Sequence, residues 1–119
     1  EQPATARPDK IPQLKPAFRE GGTVTAANSS SISDGAAALV LASETAAKSQ
    51  GLDIRAKIMG HASHAQAPGL FTTAPVPAAQ KLLSRIGWAK DDVDLWEVNE
   101  AFAVVPLAFM HEMGLDHAK

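Results

Sequence analysis

The most regular hydrophobic pattern lies near the end of the chain, where two apolar stretches meet at a polar junction. Residues 93–98 (VDLWEV) have the length and apolarity of a buried strand, and residues 104–110 (VVPLAFM) those of a buried helix. We predict a helix over 100–113, apolar on nearly all sides and ended by Gly114. Pro106 falls inside that helix, so we expect a kink or an unpaired carbonyl there.

Asn99 and Glu100 stand at the junction between this strand and this helix. Such junctions form the rim of open α/β sheets, where ligands bind. Asn99 is also a favourable N-cap residue, so its side chain could instead do no more than cap the helix.

The remaining elements follow the same kind of reasoning. Helices are expected from Glu44 to Gln50, ended by Gly51, and from Pro77 to Gly87, where an apolar stripe leaves Lys81 and Arg85 in solvent. Three further strands are predicted over 23–26, 36–42 and 55–63. Strands and helices therefore alternate, and the fold class is α/β, as a layered α-β-α arrangement.

Residues 1–22 contain four prolines and predict an extended connector without regular helix, anchored by Leu14 and Phe18. The best internal boundary lies near Gly51. We therefore divide the chain into a connector (1–22) and two further parts (23–51 and 52–119).

Composition narrows the class of protein. With 119 residues, 45% apolar, the chain suits one domain, and its net charge of -2 argues against a nucleic-acid binder. No apolar run is long enough to span a membrane and no signal peptide is seen, which indicates a cytoplasmic protein.

His61 and His64 have no cysteine or acidic cluster beside them, so no metal site is expected.

Three motifs occur in order along the chain: Gly22–Ala38 (GTVTAANSSSISDGAAA), Ala74–Ala78 (APVPA) and Asn99–Ala103 (NEAFA). Together they resemble the thiolase family, the acyl-CoA C-acetyltransferases. The resemblance implies condensation or cleavage of 3-ketoacyl-CoA through an acyl-cysteine, with acyl-CoA and coenzyme A as substrates and no further cofactor. It also implies two halves of similar fold, joined here near residue 51, and a homodimeric or homotetrameric parent protein.

Six residues are candidates for the site, and the resemblance assigns roles to three of them, Asn99, Ser30 and Ala27. Asn99 would hold a water that completes an oxyanion hole, and a fixed donor of this kind contributes about 3 kcal/mol. Glu100 would support it from the first turn of the helix, although it could also act as a base. Ser30 would contact the pantetheine arm of coenzyme A, beside Ala27, where many members have glycine. Phe71 and Phe102 would either wall the acyl or pantetheine channel or simply pack in the core.

The chain has no cysteine, whereas the family uses two, and it lacks the Gly-His-Pro sequence that carries the catalytic histidine. We therefore expect an internal fragment of a thiolase that works with the remainder of the polypeptide. Two alternatives remain open: a folded, non-catalytic proteolytic fragment that associates with itself, and a sterol-carrier or condensing relative. The latter tend to have histidine where Asn99 stands.

The missing nucleophile leads to a direct prediction. The 119-residue chain alone should show no CoA-dependent cleavage of acetoacetyl-CoA, because only a thiol readily takes and returns an acyl group from a thioester. Turnover by the isolated chain, followed spectrophotometrically, would contradict this.

Overall fold

The structure is a computed structural model that describes residues 2–118. Within this range there are four α-helices: α1 (Gln2–Thr5), α2 (Glu44–Ser49), α3 (Pro75–Ile86) and α4 (Val104–Met113). Four short 3-10 helices lie between them, over Pro8–Gln13, Ala26–Asn28, Pro68–Thr73 and Lys90–Asp92. Over residues 2–118 no helix combines the length and apolarity needed to cross a bilayer.

Helix α2 forms where its local signals predict it. The Ser43 hydroxyl accepts a hydrogen bond from the Ala46 amide (3.2 Å), which satisfies one of the free N–H groups of the first turn. Lys48 pairs with Glu44 one turn earlier. Gly51, directly after the C-cap, has φ = 64°, a left-handed conformation that glycine adopts without strain.

Helix α3 carries the predicted apolar stripe, and its members are all half-buried: Ala79, Leu82, Leu83 and Ile86. The stripe packs on the segment around Gly60, where a Cβ would come within 2.9 Å of Ile86 Cγ2 and 3.1 Å of Leu82 Cδ1. Only glycine fits at this approach without movement of the helix.

Lys81 and Arg85 lie off the stripe and are exposed, as predicted, but each also donates to a backbone carbonyl. Lys81 Nζ donates to the Ser63 carbonyl (2.8 Å), and Arg85 donates to the His61 carbonyl (2.7 Å). These carbonyls belong to an irregular segment that pairs with no strand in the described range. They can therefore accept hydrogen bonds from the cationic side chains that flank the apolar stripe. Helical periodicity cannot reveal such acceptors.

Helix α4 begins later than predicted, at Val104 rather than at residue 100. Pro106 therefore sits in its first turn, where the backbone N–H has no partner within the helix in any case, so the expected kink is absent. The N-cap is Ala103, not Asn99, which corrects the capping alternative.

At the C-terminus of α4, Lys90 Nζ donates to the carbonyls of Met113 and Gly114 (3.2 and 2.7 Å). A cation at this end of a helix is favoured by the helix dipole.

Only one face of α4 is buried, through Val105, Phe109 and Met113. Val104 and Leu107 on the opposite face are exposed, so the expectation of burial on all sides is wrong for this chain. Trp96 covers the buried face, with its ring centre 5.4 Å from that of Phe109.

The four predicted strands do not form ladders. In the described range the one β-type pairing is a single antiparallel bridge between Ser29 and Phe102. Leu39 and Val40, expected in a buried strand, are 90% and 91% exposed. A hydrophobic run is only half of what a strand needs, because its backbone groups also require a neighbouring strand.

The N-terminal connector is more structured than predicted. It contains α1 and the 3-10 helix Pro8–Gln13, whose first position takes proline without loss of a hydrogen bond. The Phe18 ring stands edge-on to Phe102 at 6.0 Å, but Phe18 is 74% exposed and Leu14 is also exposed, so neither is a buried anchor.

The molecule is elongated, with a Cα radius of gyration of 18.8 Å. A compact domain of this size would have about 13.5 Å. Its buried apolar residues among those described are Ala47, Val105, Phe109 and Met113. So small a core contributes little against the conformational entropy of the chain.

We therefore expect the isolated chain to lack a cooperative thermal transition. Far-ultraviolet circular dichroism should show helix that melts gradually, and scanning calorimetry should show no sharp heat-absorption peak. A calorimetric enthalpy near that of an ordinary domain, about 0.7 kcal/mol per residue, would contradict this prediction.

Candidate functional site

Two loops that are 70 residues apart in sequence meet at the centre of the molecule. The Ser30 amide donates to the Ala101 carbonyl (3.2 Å), and the Ala103 amide donates to the Asn28 carbonyl (3.0 Å). The Ser30 hydroxyl adds a third bond, to the Glu100 carbonyl. These contacts join the first and third sequence motifs, and we call them the loop bridge.

The first of these loops is held internally by Asn28. Its Oδ1 accepts from the Thr25 amide (2.8 Å), while its Nδ2 donates to the Thr23 carbonyl (3.0 Å). Ser29 Oγ donates to the Thr25 carbonyl (2.7 Å). Asn28 was not among the predicted site residues, although the Thr-x-x-Asn spacing is that of a capping box and is visible in the sequence.

On one side of the loop bridge lies an apolar cavity of about 410 Å³, which we call the Asn99 cavity. Asn99 and Phe71, both predicted site residues, line it together. The other lining residues used below are Thr72, Pro75, Trp96, Val105 and Phe109. The Asn99 side chain is exposed at the rim and hydrogen-bonds to no residue in the described range, so its amide can donate to a ligand or a water.

On the other side lies a second cavity, the Glu100 cavity, of about 680 Å³. Glu100 and Ala27 line it, and Arg7 and Lys10 place two cations at its wall. Neither cation was predicted, because nothing in a proline-rich connector marks a basic residue as close to a distant loop.

The structure thus separates two neighbours that were predicted to act together. Asn99 lines the Asn99 cavity, whereas Glu100 lines the Glu100 cavity and a third cavity beside Pro106 and Leu107. Glu100 is exposed and precedes α4 by four residues, so the expected position in the first turn of that helix is wrong. Its carboxylate forms no ion pair with the rest of residues 2–118.

The other two predicted residues occupy different places. The Ser30 hydroxyl is committed to the loop bridge, and the Phe102 ring lies against Phe18 and lines neither cavity. His61 and His64 have no acidic or cysteine neighbours suited to a metal. Within the described part of the chain no group of three or more metal-ligating residues comes together.

Comparison with known families identifies the class of protein. The family model of the thiolase C-terminal domain matches residues 52–119, more than half of the chain, and that of the thiolase N-terminal domain matches residues 1–45. The chain belongs to the thiolase family. The resemblance inferred from three motifs is confirmed.

Among individual relatives, a probable acetyl-CoA acetyltransferase of Dictyostelium discoideum is 50% identical over all 119 residues, which cover 29% of that protein. Acetyl-CoA acetyltransferase 1 of Arabidopsis thaliana is 55% identical over 90% of this chain and 26% of its own length. The chain thus spans less than a third of the relatives it matches.

Solved structures confirm the fold class. An acetyl-CoA acetyltransferase of Bacillus anthracis superposes with a TM-score of 0.93 at 44% identity, over 100% of this chain and 30% of the other. A thiolase of Ascaris suum in complex with coenzyme A gives 0.93 at 45% identity, over 98% and 31%. The chain follows the path of the α/β thiolase fold even where its predicted strands have no neighbouring strand within residues 2–118.

The loop bridge can be tested through the Ser30 hydroxyl. In the complete polypeptide that carries these residues, Ser30→Ala should speed hydrogen exchange of the Ala103 amide about fivefold, the factor expected for loss of one hydrogen bond. Ser33→Ala, on the same loop but outside the bridge, serves as the control. Equal exchange rates in the two variants would show that the hydroxyl does not hold the loops together.

Proposed function

We propose that this chain is the central part of an acyl-CoA C-acyltransferase that condenses or cleaves 3-ketoacyl-CoA through an acyl-cysteine. The observation that carries the proposal is the position of Asn99, an amide without a protein partner in the described range, at the rim of an apolar cavity. Two relatives of this chain are named acetyl-CoA acetyltransferase, which supports the same activity.

The chemistry explains why an unpaired amide matters. Acyl transfer between thioesters, and removal of a proton beside a thioester, both place negative charge on a carbonyl oxygen. A fixed N–H donor, acting directly or through a water, stabilises that charge without reorganisation during the reaction. Apolar walls such as Val105 and Phe109, which are buried, would strengthen this interaction once the bound ligand displaces water from the cavity.

We propose that coenzyme A binds on the surface beside the loop bridge. In the proposed role Ala27 and the Ser30 loop would contact the pantetheine arm. Arg7 and Lys10, at the wall of the Glu100 cavity, are the cations nearest to Ala27 in that cavity and suit a phosphate group of the same ligand. Glu100 would act through this loop rather than as a base, because it is not among the residues that line the Asn99 cavity.

The nucleophile must come from elsewhere, since none of the 119 residues is a cysteine. We propose that the rest of a longer thiolase polypeptide supplies the cysteines and the histidine. The exposed apolar segment around Leu39 and Val40 supports this, because a covering strand would satisfy both its side chains and its backbone. The same surface could instead pair two copies of the chain, which size-exclusion chromatography would detect as a concentration-dependent dimer.

The remaining expectations are proposals of the same kind. The parent protein would be a homodimer or homotetramer, use coenzyme A thioesters as substrates with no resident cofactor, and bind neither nucleic acid nor membrane. We propose a cytoplasmic location, although one relative, from Gibberella zeae, is named as mitochondrial.

The oxyanion role is tested by Asn99→Ala in the complete polypeptide. We expect kcat for acetoacetyl-CoA cleavage to fall by about 100- to 1000-fold, as for loss of one oxyanion donor, with a small effect on KM. Gln80→Ala is the matched control, because Gln80 is an exposed amide on α3 that lines neither cavity. A loss below about tenfold in Asn99→Ala, or an equal loss in both variants, would refute the proposed role.

A further inference from the structure

The position of Phe71 depends on its backbone. Phe71 lines the Asn99 cavity from the 3-10 helix Pro68–Thr73, yet its side chain is 60% exposed. Its ring is in neither of the aromatic pairs found among the described residues. Packing by other side chains therefore contributes little to the position of this ring. Its position depends mainly on the orientation of the adjoining peptide.

That peptide is held by two side chains. Gln66 Nε2 and Thr73 Oγ1 both donate to the Leu70 carbonyl, the latter at 2.9 Å. Gln66 Nε2 also donates to Thr73 Oγ1 at 2.7 Å, which closes a ring of three hydrogen bonds. Because the Leu70 carbonyl belongs to the peptide bond that leads into Phe71, these donors fix the plane from which the Phe71 side chain projects.

His64 sets the orientation of the Gln66 amide. Its Nε2 lies 3.2 Å from Gln66 Oε1, which leaves both N–H groups of the amide for Leu70 and Thr73. This requires a proton on His64 Nε2, a state available to both the neutral and the charged ring.

The 3-10 helix does not need these side chains in order to form. Besides its internal bonds, the backbone of this helix bonds to the flanking residues, from the Leu70 amide to the Ala67 carbonyl (2.8 Å) and from the Ala74 amide to the Phe71 carbonyl (3.1 Å). The side-chain bonds are additional, and they converge on the one carbonyl that precedes the cavity-lining residue.

We propose that Gln66 and Thr73 are positioning residues that set the acyl-chain length accepted by the Asn99 cavity, through the Leu70–Phe71 peptide. This inference rests on the proposed acyltransferase function. With the peptide fixed, the Phe71 ring remains part of the cavity wall and limits the length of acyl chain that fits. When the peptide is released, the ring can swing outward and admit a longer chain.

The test compares Thr73→Val, which keeps the shape but loses the hydroxyl, with Thr73→Ser, which keeps the hydroxyl. Both are made in the complete polypeptide, and kcat/KM is measured for acetoacetyl-CoA and for 3-ketohexanoyl-CoA. Thr73→Val removes two hydrogen bonds, of which one holds the Leu70 carbonyl. It should shift the ratio toward the longer substrate about fivefold, the factor for that one bond, while Thr73→Ser retains the wild-type ratio.

Gln66→Glu gives an independent check, because an ionised carboxylate cannot donate to Leu70. It should shift the ratio in the same direction as Thr73→Val. Phe71→Ala should produce the largest shift, which would confirm that this ring limits the cavity.

The outcomes separate this inference from the proposed function. If the wild-type polypeptide cleaves neither substrate, the proposed function fails, and the inference fails with it. If the wild type is active but Thr73→Val lowers kcat/KM equally for both substrates, or changes only the melting temperature, the network is merely structural and the inference alone is overturned.

Discussion

The loop bridge is the constraint on which the rest of the structure depends. Two backbone hydrogen bonds and one from a serine hydroxyl join residues 28–30 to residues 100–103, across the two regions matched by separate thiolase domains. With so small a core, packing alone does not bring these loops together. The two cavities lie on either side of this junction, so their shapes follow from its geometry.

The helices could be predicted because their signals are local. Ser43 before α2, and Gly87 and Gly114 after α3 and α4, act within one turn of the residues they bound. The strands could not, because a ladder is a property of two segments and the neighbours of these runs are not found within residues 2–118. The family resemblance identified the fold correctly for another reason, since it compares the whole path of the chain with one already known.

The candidate site shows the same contrast between local signals and contacts of distant residues. Asn99, from the third motif, and Phe71, chosen as a lone aromatic residue, line the same cavity in the structure. The sequence could not show that Glu100, Arg7 and Ala27 line one cavity, since this depends on the path of the backbone between distant residues. Gln66 was missed for a related reason, because its importance comes from the carbonyl it contacts and not from its own chemistry.

The late start of α4 connects the fold to the chemistry. Had the helix begun at residue 100, Asn99 would have capped it, and its side-chain oxygen would have been committed to backbone amides. Instead α4 begins at Val104 behind Ala103, which offers no side-chain cap, and the Val105 amide bonds to the Phe102 carbonyl. The four residues between Asn99 and the helix are held by the loop bridge, which gives them a fixed backbone without using the Asn99 amide. An exposed amide on a rigid turn at the edge of an apolar cavity is what stabilisation of a developing oxyanion requires.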